Sequence, residues 1–149
     1  MNKKQKSLTN KGFSLVELII VIAIMAVLVG VLAPQFIKYV EQSKRSTDIQ
    51  NAENIKTAVL ADIADGTLTG ADTKLFDGTA LKASTISEIP KIKGNVTNPN
   101  GFFTVKYDAV AGTCHVYADT EATTYDLTDS TMAGEYKTET ASATPTATP

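Results

Sequence analysis

The chain has 149 residues and carries a formal net charge of −2, with a pI near 5.4. From residue 13 onward, however, 10 basic residues stand against 16 acidic ones, a net charge of −6. Phosphate contacts need clustered basic side chains, so this composition argues against nucleic-acid binding. The length of the chain predicts one small domain with a targeting or membrane element.

The first predicted element is a basic stretch followed by an apolar one. The apolar run Phe13–Ala33 has 21 residues and follows four lysines, at Lys3, Lys4, Lys6 and Lys11. As a helix, with a rise of ~1.5 Å per residue, the run is about 32 Å long, enough to cross the hydrocarbon core of a bilayer. Its apolar side chains occur on every face. We predict a membrane-spanning helix, and the lysines favour a cytoplasmic N-terminus.

Two other interpretations of this run remain open. A cleaved secretion signal has an apolar region of about 7–15 residues before a small-x-small cleavage site, whereas this run is longer and ends in Val31-Leu32-Ala33 before Pro34. A plain single-pass anchor is the other. Glu17 fits neither well, because an ionisable group inside a span is costly and indicates a partner. Glu17 is compatible with these two interpretations only if its carboxylate reaches the membrane–water interface.

The sequence KGFSLVEL at residues 11–18, followed by an apolar helix and Pro34, resembles the leader and N-terminal helix of type IV pilins and their pseudopilin relatives. The similarity extends over about residues 1–64 and is tightest over residues 11–34. The resemblance implies that residues 1–12 are a prepilin leader, which a membrane aspartyl prepilin peptidase cuts after Gly12. Phe13 would then be the mature N-terminus, N-methylated by the same enzyme.

The resemblance also implies roles for three residues within the helix. Glu17 would pair with the freed amine of Phe13 on a neighbouring subunit, and Gly30 and Pro34 would bracket a region that loosens on filament formation. An ammonium and a carboxylate attract strongly in a low-dielectric bundle, so the pair is expected to fix the stagger between subunits. Proline lacks an amide hydrogen and clashes with the preceding turn, which predicts a kink or local break at Pro34.

Beyond the membrane segment, which we place at residues 13–34, helical periodicity continues to about residue 65. The apolar residues recur at steps of mostly three or four and form one stripe, at Ile37, Val40, Ile49, Ala52, Ile55, Val59 and Ile63. Gly66 is a plausible C-terminal stop. We predict a single helix from Phe13 to near Ala64, whose second half docks on a head domain.

Several polar side chains of this helix are predicted to be solvated. Lys44 and Arg45 are interpreted as a solvated helix face, Asp48 lies off the apolar stripe, and Asp62 and Asp65 are expected to be solvated near the helix end. The gap in the stripe between Val40 and Ile49 suggests a stretch that leaves its own domain or contacts other subunits.

The head domain, residues 35–137, is predicted to be α+β, with the helix packed on a small antiparallel sheet. Residues 67–100 are predicted to be loops, and strands are predicted at residues 102–107, 114–118 and 123–127. A head of this size needs the helix for much of its core. Residues 138–149, rich in Thr, Ala and Pro, are predicted to be disordered. O-linked sugar on this tail is a further hypothesis.

Residues that could support catalysis or metal binding are isolated in the sequence. Cys114 is the only cysteine, so no internal disulfide forms, and it is predicted to be a small packed side chain. His115 is the only histidine and receives no role, and a zinc site is not expected. No nucleophile elbow, phosphate loop or Ser/His/Asp set is found. We therefore expect no enzyme activity, catalytic residue, cofactor or metal.

The leading functional hypothesis is a subunit of a type IV pilus that serves adhesion or motility. Its implied partners are other copies of the chain, prepilin peptidase, the assembly platform with its ATPase, and the membrane before assembly. Its implied location is a cytoplasmic-membrane precursor and then a surface filament. In lacking a disulfide loop, the chain resembles pilins of Gram-positive species more than many pilins of double-membraned bacteria. A pseudopilin of a secretion or DNA-uptake system, and a membrane-anchored or secreted binding protein, are the alternatives.

Overall fold

The computed structural model describes residues 12–94, 101–119 and 121–138. In this part of the chain the elements are α1 (Leu15–Ala64), β1 (Ala71–Leu75), β2 (Thr104–Asp108), β3 (Thr113–Tyr117) and α2 (Ser130–Thr138). A long N-terminal helix packs, through its second half, on a three-stranded antiparallel sheet, which confirms the predicted α+β class. The predicted helix, Phe13 to near Ala64, differs from α1 by only two residues at its start.

The chain divides into two units, residues 1–37 and residues 38–149. In the first unit, the large apolar side chains from Phe13 to Ile37 are all exposed. The most apolar 18-residue window of α1 has a mean hydropathy of 3.1, and the helix is long and apolar enough to cross a membrane. Exposed apolar surface of this extent requires lipid or another protein to cover it.

Helix α1 continues through Pro34. Proline removes a single intrahelical hydrogen bond, and the bonds of the neighbouring turns hold the rest of the helix together. The helix is therefore not broken at Pro34, and the alternative, a kink at this residue, stays a prediction. Loosening of the region between Gly30 and Pro34 on assembly stays a prediction.

In the second unit, the second half of α1 supplies the core that the sheet covers. The fully buried core includes Ala52, Ile55 and Val59 of α1, Val105 of β2 and Val116 of β3. This confirms the middle of the predicted apolar stripe. Ile49 and Ile63 pack at the edge of the core, whereas Ile37 and Val40 are exposed.

The end of α1 follows the sequence prediction. Gly66 has a φ of 84°, a left-handed conformation that favours glycine. Its amide donates to the carbonyl of Ile63 at 3.2 Å, and the amide of Leu68 donates to the carbonyl of Asp62 at 2.9 Å. These bonds satisfy carbonyls that the helix end would otherwise leave without partners.

The sheet has the order β1-β2-β3, with both pairs antiparallel. The strands predicted at residues 102–107 and 114–118 correspond to β2 and β3, but the one at 123–127 is wrong: only an isolated bridge joins Tyr117 to Asp126. The segment curls instead, because the Asp119 carboxylate accepts hydrogen bonds from the backbone amides of residues 121, 123, 124 and 125.

The sequence analysis missed two elements. Strand β1 lies in the region predicted to be loops, and its sequence, ADTKL, has little of the β-branched and aromatic enrichment that marks strands. Helix α2 is short, and Asp129 caps its start by accepting from the amides of Thr131 and Met132. Thr138, the first residue of the predicted disordered tail, is the last residue of α2; residues 139–149 lie outside the described residues.

Candidate functional site

The start of α1 brings together the residues to which the sequence assigned processing and assembly. Gly12 and Phe13 precede the helix and are exposed, Phe13 to 91%. Ser14 is the last residue before the helix, and its amide donates to Oε2 of Glu17 at 2.8 Å. This is the half of a capping box in which the fourth residue reaches back to the cap residue. The Ser-x-x-Glu spacing was a signal for it that the sequence analysis did not use.

The geometry at Gly12 is open. A Cβ atom added to Gly12 would meet nothing within 4 Å, so the packing of this chain does not require glycine there. The peptide bond between Gly12 and Phe13 lies in non-helical, exposed backbone. A protease needs an extended substrate, and glycine enters a narrow site most easily. In the part of the chain that the structure describes, this bond is therefore accessible from outside.

Glu17 is the only charged residue between Phe13 and Ile37. Its side chain is bonded to the Ser14 amide, and among the described residues no basic group pairs with it. A carboxylate in the first turn interacts favourably with the helix dipole. The site can therefore hold a negative charge in an apolar surface and still accept a hydrogen bond from a cation.

Gly30 and Pro34 lie one turn apart within α1. A Cβ at Gly30 would meet nothing within 4 Å, so glycine at this position is not required by contacts in the isolated chain. The structure places these two residues in the exposed apolar part of the helix, away from the polar cluster at its start.

A second set of functional candidates lies in the head and corrects the sequence analysis. Arg45 was predicted to lie on a solvated helix face and Asp48 off the apolar stripe, but they are only 4% and 0% exposed. The Arg45 guanidinium donates to the Tyr136 carbonyl at 2.7 Å and lies 5.3 Å from the centre of the Tyr136 ring. The Tyr136 hydroxyl donates to Asp48 at 2.8 Å. We call Arg45, Asp48 and Tyr136 the polar clamp.

The polar clamp also holds a loop. The backbone amides of Lys93 and Gly94 donate to the two oxygens of Asp48, at 2.8 and 2.7 Å. The gap in the apolar stripe between Val40 and Ile49 was interpreted as a stretch that leaves its own domain, and this is wrong for residues 45 and 48. They bury polar groups against the head because α2 and the loop supply matching donors and acceptors.

The prediction that the carboxylates at the end of α1 are solvated is wrong for Asp62 and is confirmed for Asp65. Asp62 was expected to be solvated but is 2% exposed, because its carboxylate accepts the Ser84 amide at 2.8 Å and so holds the loop after β1. Asp65 is exposed and accepts the Thr67 amide at 2.9 Å. A hydrogen bond from the Thr67 side chain, together with this backbone hydrogen bond, lowers the pKa of Asp65.

Cys114 is buried on the core face of β3, which confirms that it is a packed side chain. Burial raises the pKa of its thiol to about 12, so the thiolate needed for nucleophilic or metal chemistry is scarce at neutral pH. On the opposite face, Nδ1 of His115 lies 2.6 Å from Oδ2 of Asp126, a partner that the sequence did not indicate. Among the described residues, no three His, Cys, Asp or Glu side chains are grouped to hold a metal ion.

Comparisons with known proteins agree with the geometry at the start of α1. Residues 8–33 match the family described as the prokaryotic N-terminal methylation motif. Type IV major fimbrial protein FimA of Dichelobacter nodosus is 33% identical over 68 residues, which cover 46% of this chain and 42% of that protein. Type IV major pilin protein PilA of Myxococcus xanthus (strain DK1622) is 43% identical over 49 residues, covering 33% of this chain and 22% of PilA.

A fimbrial protein of Moraxella nonliquefaciens is 33% identical over 87 residues, which cover 54% of this chain and 56% of that protein. The chain spans less than half of the length of the FimA proteins that it matches. No solved structure matches the chain.

Proposed function

We propose that this chain, whose N-terminal segment is that of a type IV pilin, is a structural subunit of a type IV pilus filament. The observation that carries the proposal is the first part of α1. Its apolar side chains are exposed on every face, and its only charged group, Glu17, lies one turn after the exposed Gly12–Phe13 bond. Such a surface needs lipid first and then other copies of the same helix.

Processing would convert this segment from a membrane anchor into an assembly element. Cleavage after Gly12 by prepilin peptidase frees a positively charged amine on Phe13, which the same enzyme methylates. In an apolar bundle an isolated amine or carboxylate is expensive, whereas the pair attracts strongly. Glu17 of one subunit therefore binds the Phe13 amine of its neighbour, and this pairing selects one axial stagger.

The remaining partners and the location follow from this role. The precursor spans the cytoplasmic membrane with its N-terminus in the cytoplasm, in keeping with the lysines before Phe13. An assembly platform and its ATPase move subunits into a surface filament for adhesion or motility. The names of the relatives, which are major pilin and fimbrial proteins, favour a pilus over the pseudopilus of a secretion or DNA-uptake machine.

The test is the N-terminus of the protein isolated from surface filaments, determined by mass spectrometry. We expect a chain that begins at Phe13 and carries one added methyl group. A protein that begins at Met1 and stays in the membrane fraction would instead be a plain anchor. A start near Pro34 in the culture medium would indicate ordinary secretion, and either result overturns the proposal.

A further inference from the structure

The outer face of the sheet, which points away from α1, carries a shallow depression of about 590 Å³. Strand register aligns Thr73, Lys106 and His115 across its centre, with Lys106 directly opposite His115. Tyr117 lies two residues beyond His115 on the same face and also lines the depression. Neighbouring side chains across an antiparallel pair are about 5 Å apart at Cβ, so the amine and the imidazole can reach one ligand group.

The imidazole of His115 is held in place by a built-in anchor. Asp126 is only 6% exposed and accepts from both the amide and the hydroxyl of Thr128, at 2.9 and 2.6 Å, besides its contact with His115 at 2.6 Å. An ionised carboxylate only accepts hydrogen bonds, so Nδ1 of His115 carries the proton. The other ring nitrogen, Nε2, has no hydrogen-bond partner in the described part of the chain. Carboxylates orient histidines in this way where the second nitrogen is used.

The carboxylates that line the depression have partners within the chain, whereas the Lys106 amine has none among the described residues. The Asp72 carboxylate accepts from the next amide at 2.8 Å and pairs with Lys74 at 3.0 Å. The Asp108 carboxylate accepts from two amides of the turn that follows it, at 2.9 and 3.0 Å. The Lys106 amine, in contrast, has no ion pair or hydrogen bond with any described residue. The acids are engaged within the chain, whereas the Lys106 amine remains available as a donor.

We propose that the outer face of the sheet binds a small oxyanion, the carboxylate, sulfate or phosphate group of an external ligand, between Lys106 and His115. Lys106 supplies a charged donor. When the His115 ring is protonated, its Nδ1–H donates to Asp126 and its Nε2–H donates to the ligand. The ligand group then receives a charge-assisted hydrogen bond from Lys106 on one side and from His115 on the other. Thr73, beside Lys106, adds a hydroxyl, and Tyr117, two residues beyond His115, adds a phenol.

The chain has a single histidine, so its imidazole signals report this site directly. The full chain, labelled with ¹³C and ¹⁵N in histidine and kept in detergent micelles, is titrated at pH 5.5 with glucuronate, sulfate or phosphate at constant ionic strength. We expect a saturable shift of the ring signals. Saturation by glucuronate alone assigns a carboxylate ligand, and saturation by all three assigns a general oxyanion site.

Variants of one lysine separate specific binding from a general salt effect. Lys106→Ala is expected to weaken binding at least about tenfold, the factor removed with one charge-assisted hydrogen bond, while Lys106→Arg retains it. Lys82→Ala, an exposed lysine outside the depression, should bind like the parent chain. A shift that never saturates, or an unchanged affinity in Lys106→Ala, overturns the proposal. This experiment does not depend on whether the chain forms filaments.

Discussion

At the scale of single residues, Glu17 combines two functions that can be separated. Its carboxylate accepts the Ser14 amide at 2.8 Å and so caps the helix, and it carries the only charge of the apolar segment. A neutral acceptor of the same shape is sufficient for the cap, because the amide needs only an oxygen. The charge adds a favourable interaction with the helix dipole, and it becomes essential where a cation of another subunit approaches it.

Glu17→Gln is therefore expected to leave the membrane level of the protein unchanged and to reduce filaments at least about tenfold, because the neighbouring amine then lacks its counter-charge. Filaments sheared from the cell surface are measured by immunoblot and electron microscopy. Glu53→Gln, an exposed glutamate on the head part of the same helix, is the matched control. Normal filaments from Glu17→Gln would contradict the proposed pairing.

Gly12 provides a second prediction at this scale. A Cβ atom added at Gly12 meets no atom of the described residues within 4 Å, so Gly12→Val is expected to leave the fold intact and to impair cleavage by the peptidase. We expect the uncut precursor to accumulate in membranes, as shown by the intact mass. Gly134→Val, at another glycine with open space around it, should be cut normally. Efficient cleavage of Gly12→Val would refute the assigned site.

At the scale of elements, the polar clamp (Arg45, Asp48 and Tyr136) connects three segments that are far apart in sequence. It fixes α2 and the loop at residues 93–94 on α1 through hydrogen bonds of 2.7–2.8 Å. The chain has a single cysteine and therefore no internal disulfide to hold its C-terminal part. Buried charged groups joined by these hydrogen bonds favour one arrangement of the segments, and removing one partner is costly.

Tyr136→Phe removes one donor to a buried carboxylate and is expected to cost about 1–3 kcal/mol of unfolding free energy. Each kcal/mol lowers the unfolding temperature of a domain of this size by about 4–8 °C. Thermal unfolding of the full chain in detergent, followed by circular dichroism, measures the change. Tyr39→Phe, which removes a hydroxyl from an exposed tyrosine of α1, should unfold like the parent, and equal temperatures for both variants would disprove the clamp.

At the scale of the whole molecule, aspartates organise the loops of the head. Asp119 is the clearest case: burial raises the pKa of its carboxyl, but hydrogen bonds from four backbone amides outweigh this and hold the pKa below its ordinary value of 3.8. Asp126 follows the same rule, because burial is outweighed by hydrogen bonds from Thr128 and His115. A lowered pKa in the folded state means that the folded chain favours the ionised form more than the unfolded chain does.

The contribution of these aspartates is therefore complete above the unfolded value of 3.8 and is lost as the pH falls below it. We expect the unfolding temperature to drop between pH 4.5 and pH 2.5. Asp119→Asn should be less stable at pH 7 and should lose less on acidification. Glu53→Gln serves as the exposed control, and an equal acid response in Asp119→Asn and the parent would contradict this assignment.

The long apolar helix α1 was predictable from the sequence, because the information for it is local. Composition identifies an apolar helix whose surface needs lipid or protein to cover it, and the order glycine, phenylalanine, glutamate lies within one stretch of six residues. The helix end at Gly66 and the positions of β2 and β3 were predictable for the same reason, since glycine conformation and β-branched enrichment act on neighbouring residues.

Tertiary structure alone decided which polar residues are buried. Arg45, Asp48 and Asp62 have the same local pattern as solvated helix residues, and their partners lie at Tyr136, at residues 93–94 and at Ser84. The third strand was decided in the same way: ADTKL pairs with β2 although its own propensity is weak, while residues 123–127 curl around Asp119. A hydrogen-bond partner distant in sequence leaves no periodic signal, and only the folded chain brings the two together.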